Sequence, residues 1–252
     1  MKDGKKIVAT IEARMTSTRL PGKVLLPMAG EPNLKRLIDR LRRSKYIDEV
    51  VIATTVNVPD DAIVALAEEV GCKVWRGSED NVLLRVLEAA QSVGADLIVE
   101  ITGDCPLIDW RHIDRLIALY IEGGYDYMSN ILERTFPRGF DVQIFSVKTL
   151  AEVNRLTGDP VDQENVSLYI YNHPERYKLG NWAAEGKMRR PELRVTLDTT
   201  EDYTLLNAIF EKLLPQNPDF SAEDVVHLLN VEPSLAALNA EVKQKDPYGG
   251  YV

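Results

Sequence analysis

The stretch IVATIEARMTSTRLPGKVLLPMAG, Ile7 to Gly30, begins as an apolar run rich in β-branched residues and ends as a loop. Such a run, bounded by Gly and Pro, reads as a buried strand. The loop carries Arg14, Arg19 and Lys23, with no acidic residue between Ala13 and Gly30, although the 252-residue chain has a formal charge of -9. An acidic protein that gathers bare cations beside the end of its first strand is equipped to hold an anion there.

Downstream of the loop, strand and helix signals alternate. Leu34, Leu37, Ile38 and Leu41 fall at helical spacing, and EVVIATT (49–55) is a second buried strand. PDDAIVALAEEVG (59–71) follows as a helix, with Pro59 and two aspartates near its start and Gly71 at its stop. KVWRG (73–77) is a third strand, and Ser78 is the expected N-cap of a helix through NVLLRVLEAAQSV (81–93). DLIVEITG (96–103) is a fourth strand, followed by a helix over WRHIDRLIALYIEGG (110–124).

This alternation predicts a three-layer α/β sandwich around a mostly parallel sheet, in which ligands collect at the carboxyl ends of the strands. The basic loop and the TGDCP turn (102–106) both leave strands at that end. The second half is less regular. Strands are expected in 125–130, 140–147, 177–185 and 193–199, and helices over 148–156, 163–173, 200–214 and 221–230. One domain over 1–252 is expected, with an inserted arm at about 130–190 and a mobile polar tail at about 238–252.

Composition narrows the function. Hydrophobic residues make up 45% of the chain, ample for a core, and the net negative charge argues against broad nucleic-acid binding. Cys72 and Cys105 are far apart and form no CxxC pair, so neither a zinc site nor a disulfide framework is expected. No apolar stretch approaches the roughly 18 residues of a membrane span, and the N-terminal run is too short for a signal peptide. A cytoplasmic protein acting on a small molecule, with neither nucleic acid nor membrane as partner, is the expectation.

The loop suits phosphate oxygens. Gly22 lets backbone N–H groups come close, Thr16, Ser17 and Thr18 add hydroxyls, two guanidiniums offer forked donors, and Lys23 supplies a point charge. It is neither a Walker loop nor a GxGxxG fingerprint. Asp104, just past the fourth strand, reads either as a cap for the helix starting near Asp109 or as a hard ligand for Mg²⁺. Asp198, before TTED, carries the same two readings. His112, His173 and His227 are scattered outside any metal spacing, and no GxSxG elbow is present.

The run ARMTSTRLPGKVLLPMAG resembles the signature loop of the cytidylyltransferases that make CMP-sugars, the CMP-KDO synthetase and acylneuraminate cytidylyltransferase group, and in particular its SpsF-type spore coat polysaccharide branch. The likeness continues through RGSEDNVLLRVLEAA, TGDCPLID, PRGFDVQIF and LRVTLDTTEDY, over about residues 5–215. It implies a Rossmann-like, GT-A-like fold and transfer of CMP from CTP to an acidic sugar, for surface polysaccharide synthesis. It also implies Mg²⁺ on Asp104 and Asp198, and a homodimer formed through the arm. By position, Arg14, Ser17, Arg19, Gly22 and Lys23 would hold the CTP phosphates, with Arg14, Lys23 and Asp104 serving the chemistry. Gly77, Ser78 and Arg85 would approach the base, and Arg138, Asp141 and Gln143 the acceptor.

The chain departs from the family pattern at Glu12, Gln143 and Asn165, where relatives place proline or glutamine, glutamate and histidine, and at Asn81 and Leu84, near which they often carry acids. Two other readings compete. A GT-A glycosyltransferase would normally carry a DxD motif, which this chain lacks. A nucleotide-binding relative without catalysis would accommodate the departures.

Overall fold

The computed structural model describes residues 1–251. Its elements in chain order are β1 (Ile7–Glu12), β2 (Pro27–Met28), β3 (Glu31–Pro32), α1 (Asn33–Leu41), β4 (Glu49–Thr55), α2 (Asp61–Glu69), β5 (Lys73–Gly77), α3 (Val82–Ser92), β6 (Leu97–Thr102) and α4 (Trp110–Gly123). There follow β7 (Tyr127–Ser129), β8 (Gln143–Ser146), α5 (Val147–Leu156), α6 (Pro160–Glu164), α7 (Leu168–Asn172), β9 (Leu179–Asn181), α8 (Thr200–Leu213), α9 (Ala222–Val231) and α10 (Pro233–Ala236).

The main sheet runs β5-β4-β1-β6-β8-β7-β9. All its neighbouring pairs are parallel except those of β8, which is antiparallel to both β6 and β7. The mostly parallel α/β sandwich inferred from the alternating pattern is therefore the fold. Strand β1 lies between β4 and β6, so both its faces are covered. Ile7, Ala9 and Ile11 pack with α1, α2 and α4 on one side, and Val8 packs with α3 and α5 on the other. That two-sided burial explains the unbroken apolar run.

A third apolar cluster joins Met28, Phe136, Phe140, Val195 and Leu197 to α8 and α9, and Trp182 packs against both it and the cluster of the first sheet face. The 130–190 segment, expected as an inserted arm, supplies β8, α5 and β9 to the sheet and its helical layer.

Local expectations needed four corrections. The N-cap of α3 is Asn81, whose side chain accepts from Leu84 N, while Ser78 Oγ accepts from Asn81 N at 3.0 Å. The helix expected over 163–173 is broken into α6 and α7 by Val166 at φ 34°. The stretch 177–185 pairs only over Leu179–Asn181. Residues 193–199 form no strand. Arg194 makes one isolated bridge with Arg138, and Leu197 N donates to Asp104 O at 2.8 Å. No helix among the described residues is long and apolar enough to cross a membrane.

Candidate active site

The loop after β1 closes on itself and is pinned from below. Gly22, at φ 72°, donates its N–H to Met15 O at 2.9 Å, a conformation open to glycine and strained for a residue with a Cβ. Met15 N donates to Asp60 Oδ1 at 2.7 Å, and Asp60 is fully buried at the start of α2. Arg14 is paired with Glu79, Nη1 to Oε1 at 3.1 Å, and Glu79 also accepts from Thr16 and Asn57.

Lys23 follows the loop in a short 3-10 turn and reaches across the strand ends. Its Nζ lies 2.8 Å from Asp104 Oδ2 and 2.8 Å from Asp198 Oδ1. Arg19 Nη2 meets the same Asp198 Oδ1 at 2.9 Å, and Arg194 Nη2 meets Asp198 Oδ2 at 2.6 Å. The two carboxylates, 94 positions apart in the chain, are brought to one cation.

Backbone geometry explains how. Gly103 follows β6 so closely against β1 that a Cβ there would lie 2.7 Å from Glu12 O, so the turn into Asp104 requires glycine. Asp104 O then accepts from Leu197 N and from Thr196 Oγ1, which clamps the 196–198 segment beside it. Asp198 is not a helix cap: Thr199 fills that position, in a capping box with Asp202. Nor does Asp104 cap α4, whose N-cap is Asp109. Neither carboxylate is spent on a helix end.

The charges tune one another. Burial alone would raise Asp104, but the Lys23 ammonium and its hydrogen bond outweigh it and hold the carboxyl at about 2. Burial would lower Lys23, and the two aspartates outweigh that and raise it. Glu12 behaves oppositely. Burial pushes its carboxyl up to about 7 against the pull of Arg85, and Glu100, buried on the neighbouring strand, is raised well above the carboxylate range by burial and by Glu12.

Of these groups, Glu12, Lys23 and Asp104 line a cavity of about 320 Å³ at the carboxyl ends of β1 and β6, which Glu100 does not reach. Arg14, Ser17, Arg19, Lys23, Arg85, Asp104 and Asp198 all face it. Gly22, Gly77 and Ser78 do not line it; Ser78 O instead receives Arg85 Nη1 and so orients a residue that does. The expected acceptor residues lie elsewhere. Asp141 is held bidentately by Arg134 at 2.8 and 3.1 Å, and Gln143 Oε1 accepts from Tyr127 and Ser167. Arg138 has no carboxylate partner among the described residues.

Sequence reading missed Glu79, Arg134, Arg194, Glu164 and Lys245. Each acts through a side chain distant in the chain or off the regular elements, where no periodic signal exists. Among the described residues no three His, Cys, Asp or Glu side chains cluster as a metal site. Two carboxylates converging on one cation do fit Mg²⁺, which keeps several waters and completes its shell with phosphate oxygens.

A strand-end anion loop facing two convergent carboxylates, on a mostly parallel sheet, defines a nucleotidyltransferase-like α/β protein. The chain belongs to the cytidylyltransferase family, whose model matches residues 8–239. It is 37% identical over 235 residues to the spore coat polysaccharide biosynthesis protein SpsF of Bacillus subtilis, covering 91% of this chain and 96% of that one. A solved cytidylyltransferase from Leptospira borgpetersenii superposes with a TM-score of 0.87 at 34% identity, over 92% of this chain and 97% of that one. The 3-deoxy-manno-octulosonate cytidylyltransferase of Geobacter sulfurreducens is 37% identical over 130 residues, about half of each chain.

Proposed function

We propose that this chain, acting as one catalytic unit, transfers CMP from CTP to an oxygen of an acidic sugar or related metabolite and releases pyrophosphate, for surface polysaccharide synthesis. The observation that carries the reading is the convergence of Asp104 and Asp198 on one cation beneath the Arg14–Lys23 loop. Membership in the cytidylyltransferase family supports CTP as the nucleotide. The name of the Geobacter relative supports a sugar acid as acceptor.

In this reading Ser17, Arg19 and Lys23 take the β- and γ-phosphates and stabilise the leaving pyrophosphate as charge builds on it. Arg14 releases Glu79 for the same ligand. Arg85, steered by Ser78 and packed against Gly77, flanks the nucleoside side of the cavity. Asp104 and Asp198 would hold Mg²⁺, whose charge would offset that developing on the phosphates. The acceptor approaches from the side of Arg138, whose free guanidinium suits a carboxylate and lies beside the Arg134–Asp141 pair; Gln143 braces β8 beneath it. We place the enzyme in the cytoplasm and expect it to act as a homodimer.

The test is release of pyrophosphate from CTP and Mg²⁺ over a panel of acidic sugars. Release with at least one acceptor is expected, and Asp104→Asn should lower it by about a hundredfold or more while leaving the circular dichroism unchanged. No release across the panel, together with no CTP binding by calorimetry, would overturn the proposal.

A further inference from the structure

The C-terminal segment, which no functional reading above employs, crosses the mouth of the cavity and adds a cation to it. After α10 the chain passes over the loop, where Arg19 Nη1 donates to Lys243 O at 3.4 Å. Gln244 Oε1 accepts from Arg194 Nη1 at 2.6 Å, and Arg194 is the buried arginine that grips Asp198. Lys245 then turns into the lining of the cavity, facing the same space as Arg14, Arg19, Lys23 and Asp104. Beyond it Tyr248 Oη accepts from Asn172 Nδ2 at 2.7 Å, which ties the segment to the end of α7. Residues 243–248 therefore form a strap hung between the two arginines that hold Asp198 and the helices on the far side of the opening.

From this placement we infer that Lys245 is a polyphosphate-binding residue, delivered to the nucleotide site by the strap. The inference rests on the proposed nucleotidyltransfer only for the kind of ligand; its geometry is independent. The other cations of the cavity are already engaged. Arg14 is paired with Glu79, Arg19 with Asp198, Lys23 with both aspartates, and Arg85 donates to backbone carbonyls. Lys245 has the loosest partner, Glu164 Oε1 at 3.6 Å, with both side chains more than half exposed. A pair of that kind contributes little and exchanges readily for a stronger anion. A triphosphate brings several negative charges to a cavity whose carboxylates, Glu12, Asp104, Glu164 and Asp198, already oppose its five cations. An exposed ammonium at the mouth meets that charge without uncovering a buried carboxylate. Glu164, left behind, is solvated.

Calorimetric titration of the full chain with inorganic tripolyphosphate, CTP and CMP tests this. Lys245→Ala should bind tripolyphosphate and CTP about five- to tenfold more weakly, the order of one charge-assisted hydrogen bond at a partly exposed site, with CMP changed less than about twofold. The salt dependence should become shallower. Lys245→Arg should keep most of the affinity, and Lys187→Ala, which removes the same charge from an exposed surface position, should match the parent. Unchanged tripolyphosphate binding in Lys245→Ala overturns the inference, as does an equal loss for CMP and CTP. If Lys245→Ala weakens tripolyphosphate binding but the parent shows no preference for CTP, the inference stands and the cytidylyl reading falls. Binding of neither by the parent sinks both.

Discussion

Lys23 stands where a divalent ion would be expected, between Asp104 and Asp198, and this makes one residue serve two states. Its ammonium offsets the repulsion of two largely buried carboxylates, and on the proposed reading a bound triphosphate with its metal would release it toward the leaving group. Removing one partner of such a cluster strands the others, and the cost of an uncompensated buried charge commonly exceeds that of the lost contact. Lys23→Met should therefore lose about 3 kcal/mol of stability in chelator. Mg²⁺ should raise the melting temperature of this variant more than that of the parent, because the ion then replaces the missing ammonium. Thermal melts with and without Mg²⁺ check this; an equal response in both proteins would show that the aspartates do not hold the ion.

At the scale of elements, the ends of β1 and β6 set Glu12 and Glu100 on one face of the sheet, toward α3, where Thr10 pairs with Glu100 and Glu12 with Thr102. Arg85 faces the pair from α3, and Asp104 adds a like charge from the turn after β6. Glu12 is raised from 4.5 to about 7, so the fold favours its neutral form. Its contribution to stability is fully present below pH 4.5 and is lost as pH rises through 7. Glu12→Gln removes that loss, so the variant should gain on the parent between pH 5 and pH 8, by at most about 3 kcal/mol. Urea melts at the two pH values measure it, and a constant difference would refute the raised carboxyl. The strands that carry this pair were legible because β1, β4 and β6 are short runs dominated by apolar and β-branched residues and covered on both faces. Residues 193–199 look like another such run, yet their backbone groups go to Asp104 and Arg138, and Val195 and Leu197 are buried under α8 instead of in a sheet. Alternation fixes which face is buried, not what covers it. The break at Val166 was equally invisible, since a left-handed valine carries no local signal.

Across the whole molecule, the cations of the first loop were readable because one short segment delivers them, and Asp104 and Asp198 because they follow strand-like runs, whereas the pairing of both aspartates with Lys23 and the partners Glu79, Arg194 and Lys245 were not, because the fold gathers those from the entire chain. Asp104 and Asp198 meet through a backbone bond between residues 104 and 197, and Arg194 and Lys245 arrive from the third cluster and the C-terminal strap. In a protein of formal charge -9, five cations thus converge on one cavity, a concentration of positive charge suited to an anion. Nucleotide binding at this cavity should be sensitive to ionic strength and coupled to global stability, since its lining joins one loop to side chains from α3, α6, the turn after β6, residue 198 and the C-terminal strap. A ligand bound only by the native form at a hundred times its dissociation constant adds about 2.7 kcal/mol. For a chain of this size that corresponds to a rise in melting temperature of about 5–10 °C. With Mg²⁺ present, CTP should give that rise and ATP, GTP and UTP should give little, whereas a larger response to any of the other three would reassign the base and with it the product.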